Sequence, residues 1–227
     1  MPLLRVLALG ELLFSAMKSP RSPRKKPVQD RSQITVQAIV DAAARIFLEK
    51  GFAAATTNRV AEVAGVSVGS LYQYFPNKAA LLAAVRNEVH RDFLEHMILA
   101  CERGCERSFE HAVRGMAETS AAFHEQNAGL YRLFAAELPA TAPVDFKSLP
   151  GLRYQEAQAR FFQIHAAHIK IPREQALFFT RNAGAAIMQA GVMNHPEKLH
   201  DGSIAAELTR AFVAYLSGGA VGVAPTV

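Results

Sequence analysis

From Ser32 onward, apolar residues return at helical spacing. Val36, Ile39, Val40, Ala43, Ile46 and Phe47 are separated by steps of 3, 1, 3, 3 and 1, one stripe of an amphipathic helix that Gly51 ends. Thr56 is suited to cap a short second helix, Thr-Thr-Asn-Arg-Val-Ala-Glu-Val-Ala, stopped by Gly65. Ser67 caps a third, Val68 to Phe75, which Pro76-Asn77 breaks. Lys78 opens a long fourth helix whose apolar line Leu81, Leu82, Val85, Val89, Phe93, Met97 and Cys101 runs to about Gly104. Further helical segments follow at about 107–126, 128–138, 150–170, 173–193 and 203–217, with loops around Pro139 to Pro150, at Ile171-Pro172 and from Asn194 to Gly202. No segment alternates with period two between hairpin turns. The predicted fold is all-α, with about nine helices.

Composition narrows the class. Of 227 residues, 50% are hydrophobic and 20% charged, too apolar for a disordered chain and ordinary for a globular one. Cys101 and Cys105 are four apart on one predicted helix face, so they form no disulfide framework, and a cytoplasmic location is expected. Small buried residues explain this pair more simply than a redox role does. The net charge of +5 is concentrated between Met17 and Arg31, where Lys18, Arg21, Arg24, Lys25, Lys26 and Arg31 face Asp30 alone. Ser and Pro in that stretch oppose regular structure, so residues 17–31 read as a flexible basic arm. Residues 1–16 imitate a signal peptide, but Gly10 and Glu11 interrupt the apolar run and no small-x-small cleavage site follows. They read as an upstream extension, with Met17 an alternative start, and no membrane partner is expected.

The second and third helices, joined by Ala64-Gly65-Val66-Ser67, have the proportions of a helix-turn-helix. Leu71 and Phe75, four apart, point inward and leave Gly69 and Gln73 on the opposite face, flanked by Ser70 and Tyr72. Gln pairs with adenine through two hydrogen bonds, and a glycine lets the backbone approach the groove floor.

The run Thr56-Thr57-Asn58-Arg59-Val60-Ala61-Glu62-Val63-Ala64-Gly65-Val66-Ser67-Val68-Gly69-Ser70-Leu71-Tyr72-Gln73-Tyr74-Phe75-Pro76-Asn77-Lys78 resembles the signature of the tetracycline-repressor (TetR) family, and similarity extends over about residues 31–90. The resemblance implies DNA contacts from Thr56, Thr57 and Asn58, from Val68, Gly69, Ser70, Tyr72, Gln73 and Tyr74 on the recognition helix, and a phosphate contact from Lys78. Val68 departs from members with a polar residue there. The implied division is a DNA-binding domain over 32–78, a ligand-binding and dimerisation domain over 79–218 and a flexible tail over 219–227. Similar proteins pair their last two long helices across a dimer. Here that stripe is Ala183, Ala186, Ile187 and Ala190 with Ile204, Leu208, Ala211 and Tyr215.

Nine of the 14 phenylalanines lie beyond residue 100, which fits either an ordinary core or an aromatic effector pocket. As a pocket, its candidates are Phe123, His124, Tyr131, Phe134, Tyr154, Phe161, His165 and Phe178. His165 with His168, and His195 with His200, have no acidic or cysteine partner at metal-ligand spacing, so no metal or cofactor is expected. No phosphate loop or catalytic signature is found, and the chain does not read as an enzyme. The expectation is a homodimeric repressor, released from a palindromic operator in double-stranded DNA by a small hydrophobic or aromatic effector. An effector-independent or nucleoid-associated DNA binder, and a ligand-binding protein without a DNA role, stay open.

Overall fold

The computed structural model describes residues 27–138 and 148–219. Among them are ten helices and no strand: α1 (Pro27–Ala54), α2 (Thr57–Ala64), α3 (Val68–Tyr74), α4 (Lys78–Gly104), α5 (Phe109–Gln126), α6 (Ala128–Glu137), α7 (Leu149–Ile164), α8 (Arg173–Asn194), α9 (Pro196–His200) and α10 (Ser203–Leu216). Three boundaries differ from the sequence expectation. Helix α1 begins at Pro27, inside the stretch read as an irregular arm, because proline is tolerated in a first helical turn. Pro196 likewise opens α9, inside what was expected to be a loop. Helix α7 stops at Ile164, and residues 165–168 turn instead of continuing it. The extension over 1–16, the basic residues from Lys18 to Lys26, Phe146 and the tail beyond Gly219 lie outside the described residues.

Local chemistry sets the first four helices. Gly51, with φ 74°, leaves helical geometry near the end of α1 and meets nothing that a Cβ would touch, so its conformation alone calls for glycine. The Thr56 hydroxyl accepts from the Arg59 amide at 3.2 Å, the Ser67 hydroxyl from the Ser70 amide at 3.0 Å and the Asn77 side chain from the Ala80 amide at 2.8 Å. Gly65 ends α2 in the left-handed region, and the Val66 amide returns to the Ala61 carbonyl at 3.0 Å.

The N-terminal core is not closed on itself. Ile39, Ile46, Phe47, Val60, Leu71 and Leu81 share one cluster with Phe123, Leu130 and Phe134 from α5 and α6. Helix α1 therefore packs against both α4 and α6, and the reading head is joined to the rest of the chain by apolar contact as well as by covalent linkage. A second cluster ties α5, α8, α9 and α10 together around Met188, Val192, Leu199 and Leu208. Gly191 is the point of closest approach, since a Cβ there would lie 2.6 Å from Ile204 Cδ1. Helix α4 contacts α1, α5, α6 and α7, and its 27 residues span about 40 Å at 1.5 Å per residue.

Candidate nucleic-acid interface and the cavity behind it

Leu71 is fully buried and Phe75 nearly so, which turns the opposite face of α3 outward as the spacing predicts. Val68, Gly69, Tyr72, Gln73 and Tyr74 are all exposed there, with Ser70 half-buried. Thr56 and Asn58 are exposed at the start of α2, with Thr57 half-buried beside them. Two hydroxyl pairs fix the tyrosines: Tyr72 Oη lies 3.0 Å from Thr57 Oγ1, and Ser32 Oγ donates to Tyr74 Oη at 3.2 Å. The candidate recognition surface thus draws side chains from α1, α2 and α3 together.

Lys78 does not stand out toward a phosphate. Its ammonium donates to the carbonyls of Phe52 at 2.5 Å, Ala53 at 3.2 Å and Ala55 at 3.1 Å, and it lies 4.5 Å from the centroid of the Phe52 ring. An ammonium carries three N–H donors, and all are engaged within the chain. In this structure the ammonium anchors the first residue of α4 to the end of α1. The carbonyls it binds come from 23 to 26 residues earlier, a pairing no local pattern displays.

Behind the reading head, α4 to α8 and α10 enclose a cavity of about 1030 Å³. Native cores hold few voids larger than a water molecule, so this cavity is a candidate site for a small molecule. Of the predicted pocket residues, His124, Tyr131, Phe134, Tyr154, Phe161 and Phe178 line it. Phe123 and His165 do not. Phe123 turns toward α1 and a smaller crevice, and His165 Nε2 lies 3.1 Å from the Gly104 carbonyl, buried as a core hydrogen bond. Sequence reasoning missed Met97 and Met116 on the wall, and the Arg181–Gln158 hydrogen bond across α8 and α7. A polar residue inside an apolar stripe was the available signal for that pair. Phe178 is 72% exposed and marks where the cavity meets the outer face of α8.

The cavity is electrically quiet around its aromatic wall. Burial pushes the Tyr131 and Tyr154 phenols up and the Cys101 thiol up to about 12, so all three stay protonated. Burial also holds the His124 imidazole below its ordinary value of 6.5, against the pull of the Ser120 carbonyl. The unfolded chain therefore takes up this proton first as pH falls, and folding stability declines once pH drops below about 6.5. In melting curves between about pH 8 and about pH 5, wild type is expected to lose more stability than His124→Gln. Equal losses would assign the imidazole no part in it.

On the outer side, Ala186, Ile187 and Ala190 of α8 and Ala211 of α10 are exposed, with Ala183 and Tyr215 half-buried beside them. Ile204 and Leu208 point the other way, into the chain's own core against α8 and α9, and so leave the expected dimer stripe. Gly184 also serves an internal contact, facing the Phe212 ring 3.7 Å from where its Cβ would lie.

A helix-turn-helix head with a capped, uncharged outer face, continuous through α4 with a cavity, is the arrangement expected of a DNA-binding regulatory protein. Two family profiles match the chain: "Bacterial regulatory proteins, tetR family" over residues 39–85 and "Tetracyclin repressor-like, C-terminal domain" over residues 108–216. The chain belongs to the tetR family. Among curated relatives, the HTH-type transcriptional regulator TtgR of Pseudomonas putida is 36% identical over 74 residues, covering 33% of this chain and 35% of that protein. The nucleoid occlusion factor SlmA of Haemophilus ducreyi is 31% identical over 109 residues, covering 48% of this chain and 52% of that protein. The chain spans about half the length or less of these relatives. A solved tetR family transcription regulator from Shewanella sp. PV-4 shares the fold at TM-score 0.55 and 20% identity, covering 80% of this chain and 97% of its own. One from Mesorhizobium loti does so at TM-score 0.55 and 21% identity, covering 83% and 96%. Among the described residues, no helix is long and apolar enough to cross a membrane.

Proposed function

We propose that the chain is a homodimeric repressor that leaves a palindromic operator when a small hydrophobic or aromatic effector fills the cavity. The observation that carries this reading is the course of α4. Its first residue is anchored to the reading head through Lys78, and Val89, Phe93, Leu94, Met97 and Cys101 further along it wall the cavity. An effector that prefers one tilt of α4 then biases where the head sits. The apolar outer faces of α8 and α10, with Ile187 41% exposed, support pairing of two copies there. Two-fold symmetry calls for half-sites repeated at about 10 bp or a multiple set by the dimer. An effector-independent DNA binder predicts a filled core, and the cavity disfavours it. The test is fluorescence anisotropy with duplex from the gene's own upstream region against scrambled duplex, at two salt concentrations, with and without candidate effectors. Sequence-dependent binding that salt weakens and an effector abolishes is the expected result. No salt-dependent duplex binding at all would leave a ligand-binding protein without a DNA role.

Gly69 gives a sharper check on the reading head. A Cβ there would lie 3.9 Å from Ser67 Oγ, an ordinary contact, so nothing inside the chain requires the glycine. Gly69→Ala, in the first turn of α3, is expected to stabilise the fold by up to about 0.5 kcal/mol, less than the same change in a helix interior. The same methyl on the groove-facing side is expected to weaken operator binding by about tenfold, or about 1.4 kcal/mol. Stability from thermal melting and affinity from anisotropy move in opposite directions. Unchanged affinity would place the groove contact elsewhere.

A further inference from the structure

The cavity's polar atoms say more about its occupant than its size does. His124 is buried, 7% exposed, and its Nδ1 lies 2.8 Å from the Ser120 carbonyl. A carbonyl oxygen only accepts, so Nδ1 carries the proton and donates it. In the neutral ring Nε2 is then a bare acceptor, and no described residue donates to it. Aromatic rings frame the imidazole: Tyr131 is stacked on it at 4.4 Å between centroids, and Phe93 meets it edge-on at 5.4 Å. His124, Tyr131 and Phe93 all line the cavity. The result is a stacked His124–Tyr131 pair walled by Phe93, in which His124 Nε2 can only accept a hydrogen bond.

Further along the wall, Tyr154 is buried against Met97 and Cys101, and its hydroxyl has no hydrogen-bond partner among the described residues. The Tyr131 hydroxyl has none either. Both phenols stay protonated, so each offers a donor and an acceptor to whatever occupies the space. An acceptor that faces the cavity favours an occupant that brings a hydrogen to it, by the roughly 0.5–1.5 kcal/mol of an ordinary hydrogen bond. A plain hydrocarbon has none to give, and neither has an ionised carboxylate.

Resting on the reading of this cavity as the effector site, we infer that the effector is an uncharged hydroxylated aromatic molecule. Its ring lies against the His124–Tyr131 pair and Phe93, and its hydroxyl donates to His124 Nε2. The Arg181 guanidinium, hydrogen-bonded to Gln158 and 5.9 Å from the Tyr154 ring centroid, lies on another part of the wall, where Gln158 already engages it.

The test uses three probes of one shape on the full chain: biphenyl, 4-hydroxybiphenyl and biphenyl-4-carboxylate. Each is titrated by calorimetry and then added to the protein–operator complex. Wild type is expected to bind 4-hydroxybiphenyl about tenfold more tightly than the other two, the effect of one good hydrogen bond to a buried acceptor. His124→Phe is expected to bind 4-hydroxybiphenyl and biphenyl alike. His124→Gln, whose amide keeps an acceptor, is expected to restore part of the preference, which separates lost recognition from lost folding. Equal binding of 4-hydroxybiphenyl and biphenyl by wild type would overturn the inference. So would tightest binding of the carboxylate, which would move recognition to Arg181, or no binding by any probe. Binding of 4-hydroxybiphenyl through His124 that leaves the operator complex intact would support the assignment of the His124 contact while overturning release by an effector.

Discussion

Leu71→Ala is expected to unseat the recognition helix while leaving the cavity region folded. Leu71 is fully buried and is the one buried residue within α3, a helix of seven residues. So short a helix has no stability of its own in water and exists only because an apolar side chain holds it to α1, α2 and α4. Removing a buried leucine side chain costs about 2–5 kcal/mol, at the upper end where neighbours cannot collapse into the hole. Here Ile39, Phe47, Val60 and Leu81 belong to the same cluster and are themselves fixed on three other helices. The loss falls on α2 and α3 first, because local opening costs least where few buried contacts hold a segment. Hydrogen exchange read by mass spectrometry should show protection lost over about residues 56–77 and kept over α5 and α10. Duplex binding should vanish for every sequence. Full protection over 56–77 in the variant would mean that α3 is held by something other than Leu71.

The second large effect concerns Lys78. Lys78→Met keeps the chain length and the contact with the Phe52 ring but removes every donor to the carbonyls of Phe52, Ala53 and Ala55. Hydrogen bonds to a charged group contribute about 1.5–3 kcal/mol, and part-buried carbonyls at the end of α1 would be left to water. A loss of about 2 kcal/mol is expected, lowering the melting temperature by about 4–8 °C for a chain of this size. Lys78→Arg should rescue little, because a planar guanidinium cannot place its donors as a tripod. Affinity should fall for all duplexes while the slope of log affinity against log salt stays as in wild type. A phosphate contact behaves otherwise: its removal lowers that slope by about 1. A flatter slope with unchanged melting would return Lys78 to the DNA surface.

These two residues show why parts of this protein are readable from sequence and parts are not. Leu71 and Phe75 are four apart, their caps lie within three residues of the amides they bind, and Gly65 sits where a left-handed turn is needed. Such chemistry is local, so the head was legible down to individual side chains. The Lys78 anchor joins residues more than 20 positions apart and carries no periodic mark. Apolar stripes raise a related ambiguity. Ile204 and Leu208 lie on a stripe as clear as that of Ile187, but theirs faces the chain's own core. Periodicity identifies a face without naming its neighbour, which is also why Phe123 and His165 were placed in a cavity they turn away from. Proline misled for the opposite reason. In the stretch over 17–31 it argues against regular structure, yet Pro27, like Pro196 in the expected loop from Asn194 to Gly202, occupies a first turn that has no need of its amide.

The five tyrosines are distributed so that each of the three proposed surfaces has its own optical reporter, and the chain contains no tryptophan to mask them. Tyr72 and Tyr74 stand on the recognition helix, Tyr131 and Tyr154 on the cavity wall, and Tyr215 beside the outer face of α10. Ultraviolet emission from the unlabelled protein is therefore a sum of tyrosine contributions from three parts of the chain, which substitution can tell apart. Replacing tyrosines by phenylalanine one surface at a time would let DNA docking, cavity filling and subunit association be followed in a single cuvette, with no dye attached to any of them.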